Sequence, residues 1–348
     1  MPAVHDFRSD TMTRPTPAMR AAMASAVVGD DVWGEDPTVR ELELSGARVL
    51  GKEQALLLPS GTMANQVAIH VHCRPGDELL CEERSHVFFY EGGAIARLSG
   101  TQVRTLTNAS GFPTPQQVGA AVRPDDAHFP RSRLLVLENS HNMAGGRVAA
   151  PDRLRALACV AQEHRMLVHM DGARLLNAAT ALGCAPSELA APCDSVSLCL
   201  SKGLGAPVGS LLAGDAAFVA EARRARKAFG GGMRQAGVLA AAGLLALRDG
   251  PALLADDHRR ARSLAAGLAA LPCFAVDPAA VETNIVMVDV RDGAGTAEDL
   301  VAAFAARGVL VARTGPGRVR LVTHRDVGDD GVAACLAAAA AFADRAST

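Results

Sequence analysis

The sequence is nearly without lysine. Its Lys+Arg total is 35, yet only Lys52, Lys202 and Lys227 are lysines. A guanidinium stays protonated and cannot attack a carbonyl carbon. A chain that writes its positive charge as arginine therefore keeps lysine chiefly where an amine is needed, and imine formation with an aldehyde is the leading case. Aromatic residues are also scarce, at 3%, which leaves few platforms for stacking single-stranded nucleic acid. The formal net charge is −2, so no basic field draws the chain to nucleic acid or to a membrane. Although 49% of the residues are hydrophobic, much of this is alanine, and no apolar run has the length of a spanning helix. Met1–Arg8 has an early acid and no apolar stretch, which predicts no secretory leader. Eight cysteines follow no framework spacing, which points to a reducing cytoplasm.

What is present is an alternation of short apolar runs with helical stretches. Strand-like runs at 55–58, 77–81, 103–106, 134–138, 166–171 and 196–200 alternate with helical patterns at 38–50, 62–73, 86–96, 115–122 and 151–164. This predicts an α/β fold with a mostly parallel sheet covered by helices on both faces. The segment before 38 reads as irregular. An alanine-rich helical stretch follows at 234–248 and 253–271. The pattern then changes to strands at 284–290, 309–313 and 318–323, with helices at 297–306 and 329–343. A length of 348 residues favours two cores. The division is a large domain over 1–250 and a small α+β domain over 251–348.

Four features fall where strands hand over to loops, the edge at which open α/β sheets place ligands. Ser60-Gly61-Thr62 offers backbone N–H groups and two hydroxyls to a phosphate; it reads equally as a helix N-cap with a turn glycine. Asp171 ends a buried run and Arg174 lies three residues on. A carboxylate there can hold a protonated ring nitrogen, and the guanidinium can hold a carboxylate bidentately; an ordinary capping Asp beside a surface Arg is the other reading. Ser201-Lys202 closes the run at 196–200 beside a glycine turn. Arg223 to Gln235 is basic and then glycine-rich, with Lys227 and Arg234 bracketing the glycines. Phosphate cradle, carboxylate, amine and spare guanidinium together are the parts needed for pyridoxal 5′-phosphate chemistry. Other motifs fail. Gly46 to Glu53 lacks the Ser/Thr of a P-loop, and His70 and His72 stand two apart on a helix, which does not bring them to one face.

These residues resemble the low-specificity L-threonine aldolases, fold-type I pyridoxal-phosphate enzymes of the β-eliminating lyase/threonine aldolase superfamily. The resemblance runs nearly end to end. It rests on Arg8-Ser9-Asp10-Thr11, Asp30-Asp31-Val32-Trp33-Gly34-Glu35-Asp36-Pro37, Pro59-Ser60-Gly61-Thr62, Glu138-Asn139-Ser140-His141-Asn142, Asp171-Gly172-Ala173-Arg174, Ser201-Lys202-Gly203-Leu204-Gly205, Gly230-Gly231-Gly232-Met233-Arg234-Gln235 and Arg320-Leu321-Val322-Thr323-His324. It implies cleavage of L-threonine, L-allo-threonine and related β-hydroxy-α-amino acids to glycine and an aldehyde, through an external aldimine and a retro-aldol step. It further implies Lys202 as the imine lysine, Asp171 at the pyridine nitrogen and His86 stacked on the ring. Ser60, Gly61, Thr62 and Ser201 fall at the phosphate. Lys227 and Arg234 reach that phosphate from a neighbouring subunit, in at least a dimer and usually a tetramer. Ser9, Arg174 and Arg320 clamp the substrate carboxylate, and His128 lies near its hydroxyl. Trp33 stands near the site where many members have Tyr. The catalytic base is left open between His86, His128 and a water. No metal is implied.

Overall fold

The computed structural model describes residues 4–346, so Met1 to Ala3 of the N-terminal segment lie outside the described residues. Strand β1 (His5–Asp6) opens it. Seven strands follow in chain order: β2 (Gln54–Leu58), β3 (Glu78–Glu82), β4 (Gln102–Leu106), β5 (Ser132–Glu138), β6 (Leu167–Asp171), β7 (Ser195–Cys199) and β8 (Ser210–Gly214). They form one sheet in the order β2-β8-β7-β6-β5-β3-β4. All neighbours are parallel except β8, which runs against both β2 and β7. Because β8 reverses direction twice over, β2 points the same way as β7, and six of the seven strands deliver their C-termini to one edge.

Burial on both faces explains the sequence pattern. Every residue of β3, β7 and β8 is buried, as expected for strands sandwiched between helical layers. In β2 the faces separate with period two. Ala55 and Leu57 enter the main core beside the helix Pro37–Leu50, while Leu56 and Leu58 enter a second cluster with Phe218 and Val219 of the helix Ala216–Ala228.

The smaller sheet has β9 (Phe274–Ala275), β10 (Ile285–Val290), β12 (Ala312–Arg313) and β13 (Arg318–Val322) in the order β12-β13-β10-β9, with β11 (Val309–Leu310) paired to β1. Its core joins Val286, Val288, Val319 and Leu321 to Leu264 and Leu268 and also to Phe7. The N-terminal segment is thus tied to the C-terminal core. The helices Gly237–Asp249 and Pro251–Ala269 meet at a 63° bend. Among the described residues no single helix is long and apolar enough to cross a membrane.

Several elements differ from the expectation. The helix expected over 86–96 stops after His86–Phe89, because Gly92 and Gly93 both take left-handed conformations, and Ile95–Ser99 resumes as a π turn. The strand expected at 309–313 is split into β11 and β12. The segment taken as irregular contains a helix, Pro17–Ala24, with Thr16 as N-cap and proline at its first position, a start signal readable in the sequence. β8 was not expected at all; its short Ser-Leu-Leu-Ala-Gly run carries no alternation to mark it.

Candidate active site

The shared strand edge gathers the site. Ser60 caps the helix Gly61–His72, its Oγ accepting from the N–H of Met63 at 3.2 Å. A Cβ added to Gly61 would stand 2.7 Å from Cys199 Sγ and 3.6 Å from Ser210 Oγ. Only glycine lets this helix start lie against the end of β7, next to the loop that carries Lys202. Ser60 and Thr62 remain exposed, so the uncapped N–H groups of this first turn face outward as an anion cradle.

Asp171, the last residue of β6, is buried. Its Oδ1 accepts from the N–H of Ala173 at 3.0 Å and its Oδ2 from Asn65 Nδ2 at 2.8 Å. Burial pushes its pKa up, but the charges of His86 and Lys202 outweigh burial and hold it below the usual carboxylate value. It is therefore an anion, as needed to hold a proton on a ring nitrogen. Asn65 also donates to Glu91 Oε1 at 2.9 Å, and the same oxygen lies 2.9 Å from His86 Nδ1. Burial lowers the pKa of His86, and the hydrogen bond to Glu91 with the charges of Asp171 and Glu91 more than reverses that. The ligand atoms of His86, Glu91 and Asp171 lie within 4.8 Å of one another.

Across the cavity stand two guanidiniums. Arg174 is buried and forms a bidentate pair with Asp10, Nε to Oδ2 and Nη2 to Oδ1, both at 2.7 Å. Burial opposes the charge on Asp10, but Arg174 holds its carboxyl far below the usual range. Arg174 Nη1 and Arg320 Nη1 converge on one oxygen, Asn142 Oδ1, at 3.3 and 2.8 Å. Arg320 also donates to the carbonyl of Arg8 at 3.2 Å, and among the described residues its buried Nε has no hydrogen-bond partner. Burial, and then the charge of Arg174, depress the pKa of Arg320. Two crowded cations with an unsatisfied donor form a site for a carboxylate. With most of Arg174 committed to Asp10, the free part of the clamp is Arg320. Ser9 Oγ faces the same cavity while accepting from the N–H of Thr11 at 3.2 Å.

Lys202 lies between these groups. Its carbonyl accepts from Thr13 Oγ1 at 2.9 Å and from the N–H of Gly205 at 2.8 Å. Gly205 has φ +83°, and a Cβ there would stand 2.5 Å from Arg325 Nη1. The backbone is thus fixed while Nζ, among the described residues, has no hydrogen bond or ion pair. The cavity, about 330 Å³, is lined by Lys202, His86, Tyr90, Arg174, Arg320, Ser9 and neighbouring residues. A free amine, a buried carboxylate, a helix start and paired guanidiniums are the donors that pyridoxal 5′-phosphate and an amino acid require, so the residues fit that cofactor.

The other expected residues do not line this cavity: Asp171, Ser60, Gly61 and Thr62 are not among its lining residues, and neither are the five that follow. Ser201 is half-buried beside Lys202. Lys227 is exposed at the end of the helix Ala216–Ala228, and Arg234 is exposed and paired with Asp30 at 3.1 Å. Trp33 is 77% exposed. His128 is in the loop before β5, at the opposite edge of the sheet, exposed and paired with Asp126 at 2.6 Å. Strands of five to seven residues, roughly 15–20 Å long, separate it from Lys202, so it does not join the site of its own chain. Sequence reasoning had given no role to Asp10, Asn142 or Glu138, although all three sit in the motifs quoted above. Glu138 accepts from the N–H groups of His86 at 2.7 Å and Asn142 at 2.8 Å, tying the two walls of the cavity together. Tyr90 is the chain's one tyrosine. Asn65 and Glu91 left no signal in the sequence.

Comparison with known proteins identifies the family. A family model described as beta-eliminating lyase matches residues 6–292. The chain is 43% identical to "Low-specificity L-threonine aldolase 1" of Arabidopsis thaliana, over 92% of this chain and 91% of that protein. It is also 43% identical to "Low specificity L-threonine aldolase" of Escherichia coli K12, over 98% of this chain and 99% of that protein. Among solved structures, the threonine aldolase of Leishmania major superposes with a TM-score of 0.82 at 20% identity, covering 98% of this chain and 99% of that one. The serine palmitoyltransferase of Sphingomonas wittichii shares the fold at TM-score 0.76 and 18% identity, covering 99% of this chain and 88% of that one. The chain therefore belongs to the beta-eliminating lyase family, in its low-specificity L-threonine aldolase group.

Proposed function

We infer that the protein is a pyridoxal-phosphate-dependent lyase that cleaves L-threonine, L-allo-threonine and related β-hydroxy-α-amino acids to glycine and an aldehyde. The observation that carries this reading is the unpartnered amine of Lys202, set between buried Asp171 and the Arg174–Asn142–Arg320 cluster. Pyridoxal 5′-phosphate supplies an aldehyde for that amine and a protonated ring that takes up the electron pair released at Cα. Asp171 would hold the proton on the ring nitrogen, and the start of the helix Gly61–His72 would hold the phosphate. Arg320, supported by Arg174 and Ser9, would hold the substrate carboxylate and so select which bond at Cα is broken. His86 Nε2 accepts the β-hydroxyl proton, at contact or across one water. The O–H pair becomes the aldehyde C=O bond, the Cα–Cβ pair stays with the glycine half, and a proton rejoins Cα.

The active unit is a homo-oligomer, at least a dimer and in full a tetramer. Exposed Lys227 and Arg234 complete a neighbour's phosphate site, and His128 reaches a neighbour's substrate hydroxyl, because its own site is a strand length away. Trp33, Phe88 and Phe89 are exposed apolar residues that a second copy covers. The boundary between the two lobes falls at Gly250, giving 1–250 and 251–348, with β1 and Phe7 crossing over to the smaller core. All eight cysteines are free, which supports a reducing cytoplasm.

A panel of β-hydroxy amino acids, assayed for glycine and aldehyde beside a cofactor spectrum, tests the reading. Glycine with acetaldehyde from threonine is the expected product pair. Pyruvate with ammonia would replace aldol cleavage by β-elimination.

A further inference from the structure

Glu91 is a buried carboxylate that touches neither the substrate cavity nor the phosphate cradle. It follows the helix His86–Phe89 and lies under the site, with donors on every side. Oε1 accepts from Asn65 Nδ2 and faces His86 Nδ1, each at 2.9 Å, and Oε2 accepts from Gln66 Nε2 at 2.5 Å. The orientation of Asn65 is fixed, because its Oδ1 accepts from Ser197 Oγ at 2.9 Å while its Nδ2 serves both Glu91 and Asp171. With both oxygens already accepting from amide N–H groups, a carboxylate at Glu91 accepts the His86 contact as well, which puts its proton on Nδ1. Nε2, on the far side of the ring, is left without a partner among the described residues, and His86 is one of the residues that line the cavity.

We propose that Glu91 is a positioning residue: it fixes His86 as the Nδ1–H tautomer, turns the Nε2 lone pair to the cavity, and stabilises the imidazolium while Nε2 holds the β-hydroxyl proton. The same role belongs to the carboxylate of a carboxylate–histidine pair in hydrolases. Through Asn65, Glu91 is also tied to Asp171, so the two groups expected to contact the cofactor ring share one support. This inference rests on the aldol-cleavage reading for its chemistry, but not for its tautomer.

The charged groups facing His86 are Glu91, Asp171 and Lys202. Glu138 takes its main-chain N–H, and Tyr90 lies against its ring at 5.7 Å between centroids. Glu91→Gln removes the charge and keeps the shape. The amide oxygen replaces Oε1, and Gln66, whose Oε1 has no partner, turns over to accept from the new amide nitrogen.

The test is a histidine-labelled NMR titration of the holoenzyme, with the His86 signal assigned by its loss in His86→Asn. Wild type should show the Nδ1–H tautomer when neutral. In Glu91→Gln the His86 pKa should fall by about one unit or more. The acid limb of kcat/KM for threonine should move down with it, while plateau kcat drops roughly tenfold or more. An Nε2–H tautomer in wild type overturns the proposal even if Glu91→Gln does not fold. An unshifted His86 titration in a folded Glu91→Gln holoenzyme overturns it as well. Failure of all β-hydroxy amino acids as substrates would sink the aldol reading while leaving the tautomer measurement intact.

Discussion

The two edges of the seven-stranded sheet carry cavities of very different kinds. The edge at the C-termini of the parallel strands holds about 330 Å³ lined by Lys202, His86 and Arg320. The opposite edge holds about 1140 Å³ lined by Asp77, Arg123, Phe129, Arg131 and Arg165. Size does not locate the chemistry. Around the large cavity the charges are paired off locally, Arg123 with the buried Glu78 at 3.3 Å and Asp126 with exposed His128 at 2.6 Å. Around the small one, buried charges converge and perturb each other: Asp171 and Asp10, behind the lining residues, are held anionic, Arg320 is crowded by Arg174, and among the described residues the amine of Lys202 is left free. Charge buried at cost in one place is the mark of function there.

The first way to break this contrast is to remove the free amine. Lys202→Ala should abolish the visible absorbance of the lysine-bound cofactor and lower turnover by roughly a thousandfold or more. Retained aldehyde release at near wild-type rate would mean the small cavity is not the reaction site. A change of the same size in Lys52, whose Nζ donates to the carbonyl of Cys193, is not expected.

Next comes the buried ion pair behind the clamp. Asp10→Asn leaves Arg174 charged, buried and short of an anion, which should destabilise the fold by about 3–5 kcal/mol in a urea titration. Stability within error of wild type would show that Asn142 and water satisfy Arg174 without Asp10. Arg320→Ala acts in front of the clamp instead. It should raise the KM for threonine about 10–100-fold with cofactor absorbance intact, and loss of cofactor would move Arg320 into the phosphate site.

These effects fall unevenly on what the sequence made legible. Lys202, Asp171 and the helix start at Ser60 could be read because each ends or follows a short apolar run, and strand ends are where such folds bind ligands. Arg174 was read as a free clamp, and its pairing with Asp10 was not, because the partner lies 164 positions away at a contact made only when the N-terminal segment folds back. Glu91 and Asn65 escaped for the same reason: their meaning lies in convergence, and nothing local marks it. β8 escaped because an antiparallel insertion in a parallel sheet leaves no periodicity of its own. His128 shows the converse, a residue whose motif points to the site while its strand carries it to the other edge.

A buried carboxylate without a hydrogen bond should behave in the opposite sense to Asp171. Asp257 is buried, and among the described residues neither side-chain oxygen has a hydrogen bond; its one ion pair, to Arg260, is long at 3.6 Å. Burial dominates, and the pKa is pushed up to about 7. The folded value lies above the unfolded one, so the native state keeps a proton that the unfolded chain has lost. That contribution to stability is full below the unfolded value and disappears as pH rises through about 7. Asp257→Asn, which cannot titrate, should therefore gain about 1–3 kcal/mol relative to wild type between pH 5 and pH 8. Parallel pH dependence in the two proteins would show that Asp257 is paired or hydrated.

The smallest effect expected is also the one that joins the two edges. His128 is 87% exposed at its side chain and fully a strand length from its own Lys202, so it can act only at a second copy, and only on the outer part of a substrate. His128→Ala should leave the cofactor spectrum unchanged. It should alter the ratio of kcat/KM for L-threonine and L-allo-threonine by about two- to tenfold, since a single neutral contact to a hydroxyl or methyl is worth about 0.5–1.5 kcal/mol. Unchanged kinetics on both diastereomers would confine His128 to the far edge of the sheet and leave His86 as the histidine facing the substrate.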